Sequence, residues 1–321
     1  MAEPLRERSA IRRLAAGIGL LGGAAALWVP GFASPYNWLD LLSSSSITAL
    51  FALGLLVVLM AGELDISFTA IASVSQFLLA VALARQDIGW AGTIVVSALV
   101  GLLLGLVNGA VATWLRAPPI ITTIALLNVY GGVLALISRG EMLYDFPDFF
   151  TYTAVARIGG YPLTLQTIAL AVTAVVTALM LKATNLGRIL RAVGGNRDAA
   201  LRLGINGMTV NLLAYGYLGL VSGIAGLAHA QLLQAVTPGS LIGRELDVVA
   251  ATILGGASLA GGRGGVVGTL LGVLFIALIG NILVLSGVSP YWHQAVTGAI
   301  VLAAVAPIAW RHARPALAEV A

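Results

Sequence analysis

The sequence predicts an all-α polytopic membrane protein with about ten transmembrane helices, and three observations carry that prediction. Of 321 residues, 59% are apolar and only 9% are charged, and mean hydropathy is +1.00, too little polar surface to clothe a water-soluble domain. The apolar residues fall into runs of about 20, the length a helix needs to cross a hydrocarbon core about 30 Å thick. Those runs are continuous and rich in Leu, Ala and Val, whereas a transmembrane barrel shows short alternating segments between polar turns.

Residues 1–13, MAEPLRERSAIRR, form a basic N-terminal segment. The apolar run behind it lacks a small-residue cleavage site and reads as a retained first span. Spans are expected over 14–33, 46–62, 66–84, 91–115, 119–138, 162–182, 208–233, 246–260, 265–287 and 291–310, leaving a tail at 311–321. The transmembrane domain therefore covers 14–310. Its second, third and eighth spans are imperfect: Glu63, Asp65 and Asp247 sit at their edges, and Gly255, Gly256, Gly261 and Gly262 interrupt the pattern, as broken or re-entrant segments do. Elsewhere Gly101, Gly105 and Gly109 recur every fourth residue, as do Gly219 and Gly223, and Gly264, Gly268 and Gly272. That spacing lines one helix face with small residues and lets backbones approach.

With the amino terminus inside, thirteen of the 17 lysines and arginines fall on the inner side; only Arg85, Arg139, Arg157 and Arg244 fall outside. This asymmetry places both termini and residues 183–207 in the cytoplasm. The formal net charge of +4 thereby reads as topology information and calls for no nucleic acid. The expected outer loop, 139–161, gathers Glu141, Asp145 and Asp148 among Tyr144, Phe146, Phe149, Phe150, Tyr152 and Tyr161. It reads as a docking lip or as an interfacial aromatic belt.

No catalytic constellation is present. The chain has no cysteine, which excludes disulfides and thiol chemistry. Its lone lysine, Lys182, follows Met180 and Leu181 rather than a glycine-rich loop, so there is no phosphate cradle for ATP. His229, His293 and His312 are scattered, with no HExxH pair and no metal-ligand spacing, and no GxSxG elbow occurs. What remains is a set of polar residues at membrane depth. Glu63, Asp65, Gln76, Asn108, Asn128, Asp247 and Asn281 are candidates to line a solute passage, and inter-helix hydrogen bonding accounts for each as well. Glu63-Leu64-Asp65-Ile66 is echoed by Glu245-Leu246-Asp247-Val248, which with ten spans would put the copies on opposite membrane faces, as in an inverted repeat.

Between the apolar runs lies one basic island, residues 187–205, GRILRAVGGNRDAALRLGI. It reads as a short helix from Arg188 to Val193, a turn at Gly194 and Gly195, and a second helix from Asn196 toward Leu203, closed by Gly204. Small residues between arginines suit a helix that enters a partner's groove; contact with anionic lipid is the plain alternative.

This island resembles the cytoplasmic coupling loop of ABC importer permeases and is most similar to the ribose-type sugar permeases. The similarity continues at 238–272, PGSLIGRELDVVAATILGGASLAGGRGGVVGTLLG, at 281–306, NILVLSGVSPYWHQAVTGAIVLAAVA, and at GELDIS, 62–67. Branched-chain amino-acid permeases share the general plan, but the GGN at 194–196 and the LSGVSPYW at 285–292 are more sugar-like. The resemblance implies a type II ABC importer permease fold and import of a monosaccharide or related polyhydroxylated solute across the bacterial inner membrane. It implies three kinds of partner: a second permease subunit, identical or paralogous; two cytoplasmic ATP-binding subunits that hold ATP and Mg; and a periplasmic or extracellular sugar-binding protein. It assigns ATPase coupling to 183–207, through Gly187, Arg188, Arg191, Ala192, Gly194, Asn196, Ala199, Ala200 and Gly204. The chain departs from the family's usual Gly-Gly-Ile-Asp-Leu-Ser by placing Glu63 where a glycine is common. A proton-coupled secondary transporter working through Glu63, Asp65 or Asp247, or an ABC permease for a branched-chain amino acid, is the alternative.

Overall fold

The computed structural model describes residues 3–289 apart from 116, 152–153 and 159–160, together with six isolated helical positions between 292 and 302. Its helices are α1 (Glu3–Trp28), α2 (Pro35–Met60), α3 (Phe68–Arg85), α4 (Gly89–Leu115), α5 (Pro119–Ser138), the single turn α6 (Asp148–Thr151), α7 (Leu165–Ala183), α8 (Asn185–Gly195), α9 (Arg197–Arg202), α10 (Gly207–Leu233), α11 (Glu245–Leu254) and α12 (Val266–Leu285). Among the described residues the one sheet is an antiparallel hairpin of β1 (Ala154–Ile158) and β2 (Tyr161–Thr164). Among the described residues eight helices, α1 to α5, α7, α10 and α12, are long and apolar enough to cross a membrane. The protein is a multi-pass, all-helical membrane protein.

Two compact units divide the chain, 1–41 with 274–321, and 42–273. In the smaller unit Ala25, Phe32, Leu41 and Leu278 form a sealed core. Asn37 and Asn281 exchange side-chain amide hydrogen bonds of 3.1 and 2.8 Å there.

The larger unit is organised around α10, which packs against both α3 and α4. The fourth-residue glycines explain how. A Cβ on Gly105 would lie 2.8 Å from the Gly219 Cα, and one on Gly101 would lie 2.8 Å from the Gly223 Cα. These two helices meet backbone to backbone, as small-residue stripes allow. On its other side Gly226 lies so close to Ala72 of α3 that a Cβ would be 2.5 Å from the carbonyl oxygen. Within α2, every residue from Leu50 to Met60 is buried, consistent with a helix apolar all round.

Three expectations are revised. The second span starts at Pro35 rather than 46, because serines that suggest a loop bond back to their own helix: the Ser46 hydroxyl donates to the Leu42 carbonyl at 2.5 Å. The eighth span, 246–260, is no span. Only Glu245–Leu254 is helical, and the preceding residues run irregularly beside α3, where Ser240 meets Gln76 at 3.3 Å and Glu245 accepts from the Thr69 hydroxyl. A later residue meets an earlier level of α3, so this segment descends antiparallel to it. Glu245 thereby reaches the first turn of α3, which follows the Glu63-Leu64-Asp65 copy directly in sequence. Finally, the aromatic loop packs partly inward rather than standing open as a lip. Phe150 is fully buried, with ring centroids 5.0 Å from Phe146 and 5.9 Å from Trp90, while Tyr144 is largely exposed. The tenth span, 291–310, apart from the isolated positions, and the tail 311–321 lie outside the described residues.

Candidate functional site

The site begins at the C-terminus of α2. Gly62 adopts φ +80°; its N–H bonds the Leu59 carbonyl at 2.9 Å and the N–H of Glu63 bonds that of Val58 at 3.2 Å. This is a Schellman cap, which only a residue at ease in the left-handed region closes without strain. It leaves the Met60 carbonyl to an outside donor, and the Gly262 N–H supplies one at 3.1 Å. Gly194, in the last turn of α8, rests on the same place. A Cβ there would overlap the Met60 carbonyl oxygen and the Gly262 nitrogen, and one on Gly261 would sit 2.6 Å from the Gly194 oxygen and 2.8 Å from the Gly62 Cα. Three chain segments thus meet through their backbones, with no side chain between them.

The basic island folds into two short helices with defined ends, but the expected turn at Gly194 and Gly195 is helical, and the break between the helices falls at Asn196. The Thr184 hydroxyl accepts from the Gly187 N–H at 3.4 Å to start α8. Asn196 closes α8 with an N–H bond to Ala192 at 3.0 Å and opens α9 by accepting from the Ala199 N–H at 3.0 Å. At the far end Gly204, φ +84°, and Ile205 bond back to Leu201 and Ala200 at 3.0 and 3.2 Å, a second Schellman cap. Gly187, Leu190, Val193 and Ala200 turn inward and are buried, whereas Arg188, Arg191, Ala192, Asn196, Ala199 and Gly204 are exposed. The amphipathic split is partial, since Leu201 and Leu203 are exposed as well.

A buried polar cluster lies next to this junction. Asp65 is wholly enclosed; its carboxylate accepts from the Ser67 N–H at 2.6 Å, the Ser67 hydroxyl at 2.7 Å and the Asn108 amide at 3.0 Å. Asn108 in turn accepts from the Tyr130 hydroxyl at 2.7 Å. Glu63 faces the other way and forms an ion pair with Arg197 of α9, reinforced by the Asn211 amide at 3.2 Å. Further along α3, Gln76 holds the His229 ring nitrogen at 3.0 Å as well as Ser240.

The structure brings together Glu63, Asp65 and Asn108, and places Gln76 along the same helix. It sets others aside. Asn128 is exposed on α5 and bonds its own helix at Ile124, Asn281 belongs to the smaller unit, and Asp247 is half-buried in the first turn of α11. Sequence reasoning missed Ser67, Thr69, Tyr130 and Asn211. Only Ser67 carried a signal, since Asp-x-Ser favours a local turn in which the carboxylate accepts from the residue two along.

No group of three or more His, Asp and Glu gathers among the described residues. A family model described as the branched-chain amino acid transport system / permease component matches residues 37–305. The chain belongs to that permease family. The permease is similar to the ribose import permease protein RbsC of Bacillus subtilis, 34% identical over 288 residues, which cover 86% of this chain and 85% of the relative. It is 29% identical to RbsC of Escherichia coli K12 over 280 residues, 86% of either chain. To the autoinducer 2 import system permease protein LsrC of Photorhabdus luminescens it is 29% identical over 267 residues, 81% of this chain and 78% of that one. No solved structure matches it significantly. As a permease component it is a translocation subunit and not an enzyme.

Proposed function

We propose that this permease imports a monosaccharide or a related polyhydroxylated solute across the bacterial cytoplasmic membrane, driven by ATP that separate subunits bind with Mg and hydrolyse. The observation that carries the reading is the near-full-length similarity to permeases named for ribose and autoinducer 2 import. In this reading a second permease copy or paralogue completes the pathway, two ATPase subunits bind at the cytoplasmic face and an external binding protein delivers the solute. The positive-charge bias supports placing residues 183–207 on the cytoplasmic side.

The geometry supports a route for the power stroke. The exposed residues of α8 and α9 meet an ATPase groove, and the buried side of the same two helices stands on the α2 terminus and on the loop at 255–265. A displacement of α8 is passed to both, because a backbone contact without side chains has no flexible part to absorb it. Asp65, Asn108 and Gln76, on or beside α3, are the polar groups that shape the adjoining passage. The sugar assignment is tested in proteoliposomes containing the permease, its ATPase subunits and its binding protein. Labelled ribose, other pentoses and deoxyhexoses are offered beside leucine, with ATP or with a pH gradient alone. Uptake of a sugar that requires ATP and binding protein is expected; leucine uptake, or uptake driven by pH alone, would overturn the reading.

A further inference from the structure

Glu63 entered as a candidate for the solute passage, yet its carboxylate turns to the basic island. One oxygen receives both the Arg197 guanidinium and the Asn211 amide, and Asn211 also reaches the Thr113 hydroxyl of α4 at 3.2 Å. The pair is asymmetric in burial: the Glu63 side chain is 5% exposed and that of Arg197 44%. A buried carboxylate needs its partner far more than an arginine in water does. Glu63 is also rigidly mounted. Its own N–H closes the α2 cap, and Asp65, two residues on, is fixed by Ser67 and Asn108.

We infer that Glu63 is a coupling residue: its ion pair with Arg197 is the charged tether through which motion of α9 is transmitted to the break between α2 and α3 and so to the Asp65 cluster. The inference rests on the proposed coupling role of 183–207. It adds a second link to the glycine junction, on the other helix of the island. Gly194 pushes, since a steric contact transmits compression; the ion pair pulls, since it resists separation. A transporter that swings in both directions needs both senses, and the 60–63 segment receives both within four residues.

The absence of native cysteine allows spin labels at chosen pairs of sites. One label at Arg188→Cys reports the island. A second at Thr237→Cys reports the opposite end of α10, a helix of 27 residues and hence about 40 Å long. Distances between equivalent labels in the assembled complex are compared with and without ATP and vanadate, alongside ATP hydrolysis and uptake. Glu63→Gln should keep ATPase co-purification and basal hydrolysis within about twofold, and Arg197→Gln breaks the same pair from the exposed side. Each should lower uptake by about tenfold or more, within the range of ordinary coupling free energies, and remove the nucleotide response at 237 while keeping that at 188. The exchange Glu63→Arg with Arg197→Glu should restore part of the uptake. Unchanged uptake and an unchanged response at 237 in Arg197→Gln would overturn the tether and leave the coupling role standing. A complex without these substitutions that shows no nucleotide response at 188 would instead overturn the coupling role itself.

Discussion

Two neighbouring parts of the larger unit are built on opposite principles. At the junction of Met60, Gly194 and Gly262 the contact depends on side chains that are missing, whereas at Asp65, Asn108 and Tyr130, on the adjoining part of α3 and its neighbours, it depends on side-chain polar groups that are all matched. The first has no tolerance for volume and no interest in polarity. The second tolerates small changes of shape but not an unmatched donor. A rigid steric joint suits transmission of force, and a polar cluster enclosed in an apolar bundle holds the start of α3, α4 and α5 in one register.

The comparison is broken most severely at Gly194. Gly194→Ala puts a methyl group into the Met60 carbonyl, and such overpacking typically costs about 1–3 kcal/mol. The joint should separate, with uptake falling about tenfold or more; uptake of labelled sugar in proteoliposomes reads this. Next comes Asp65→Ala, which strands the Ser67 N–H and hydroxyl and one Asn108 donor in a sealed site. A loss of about 3 kcal/mol or more is expected, seen as a lowered thermal unfolding midpoint of the detergent-solubilised complex, with Asp65→Asn less damaging because one carbonyl oxygen remains as acceptor. Tyr130→Phe removes a single donor to Asn108 and should cost about 1 kcal/mol in the same assay. Smallest is Gly195→Ala. A Cβ there meets nothing within 4 Å, and alanine is the better helix former by about 0.5–1 kcal/mol, so uptake should match the unsubstituted chain and the midpoint should hold or rise slightly. Two adjacent glycines with opposite outcomes would sharpen the contrast; equal outcomes would erase it.

Much of this was legible in the residues. Long apolar runs gave most of the spans, and the glycine repeats of α4 and α10 pointed to a close approach that Gly101, Gly105, Gly219 and Gly223 make. The basic island's two helices and its closing cap followed from Asn196 and Gly204, whereas Gly194 and Gly195, read as a turn, continue α8. What remained hidden depends on tertiary placement. Residues 234–244 carry no periodicity, so their course along α3 shows only through contacts such as Ser240 with Gln76. Glu63 and Asp65 are two apart in an irregular segment, and nothing local states that one turns to Arg197 while the other turns to Asn108. Tyr130 and Asn211 look like ordinary span residues until their partners, far away in sequence, are in place.

The proposed coupling requires that the island at 183–207 receive the ATPase inside the cell. A single cysteine at Ala199, exposed on α9 in a chain that otherwise has none, tests this most directly through crosslinking in intact cells that express the full transport complex. Crosslinking to the ATPase subunit, with no reaction toward a membrane-impermeant maleimide added outside, is the predicted result. Labelling of that cysteine from outside, or a fully assembled complex in which it never reaches the ATPase, would contradict it.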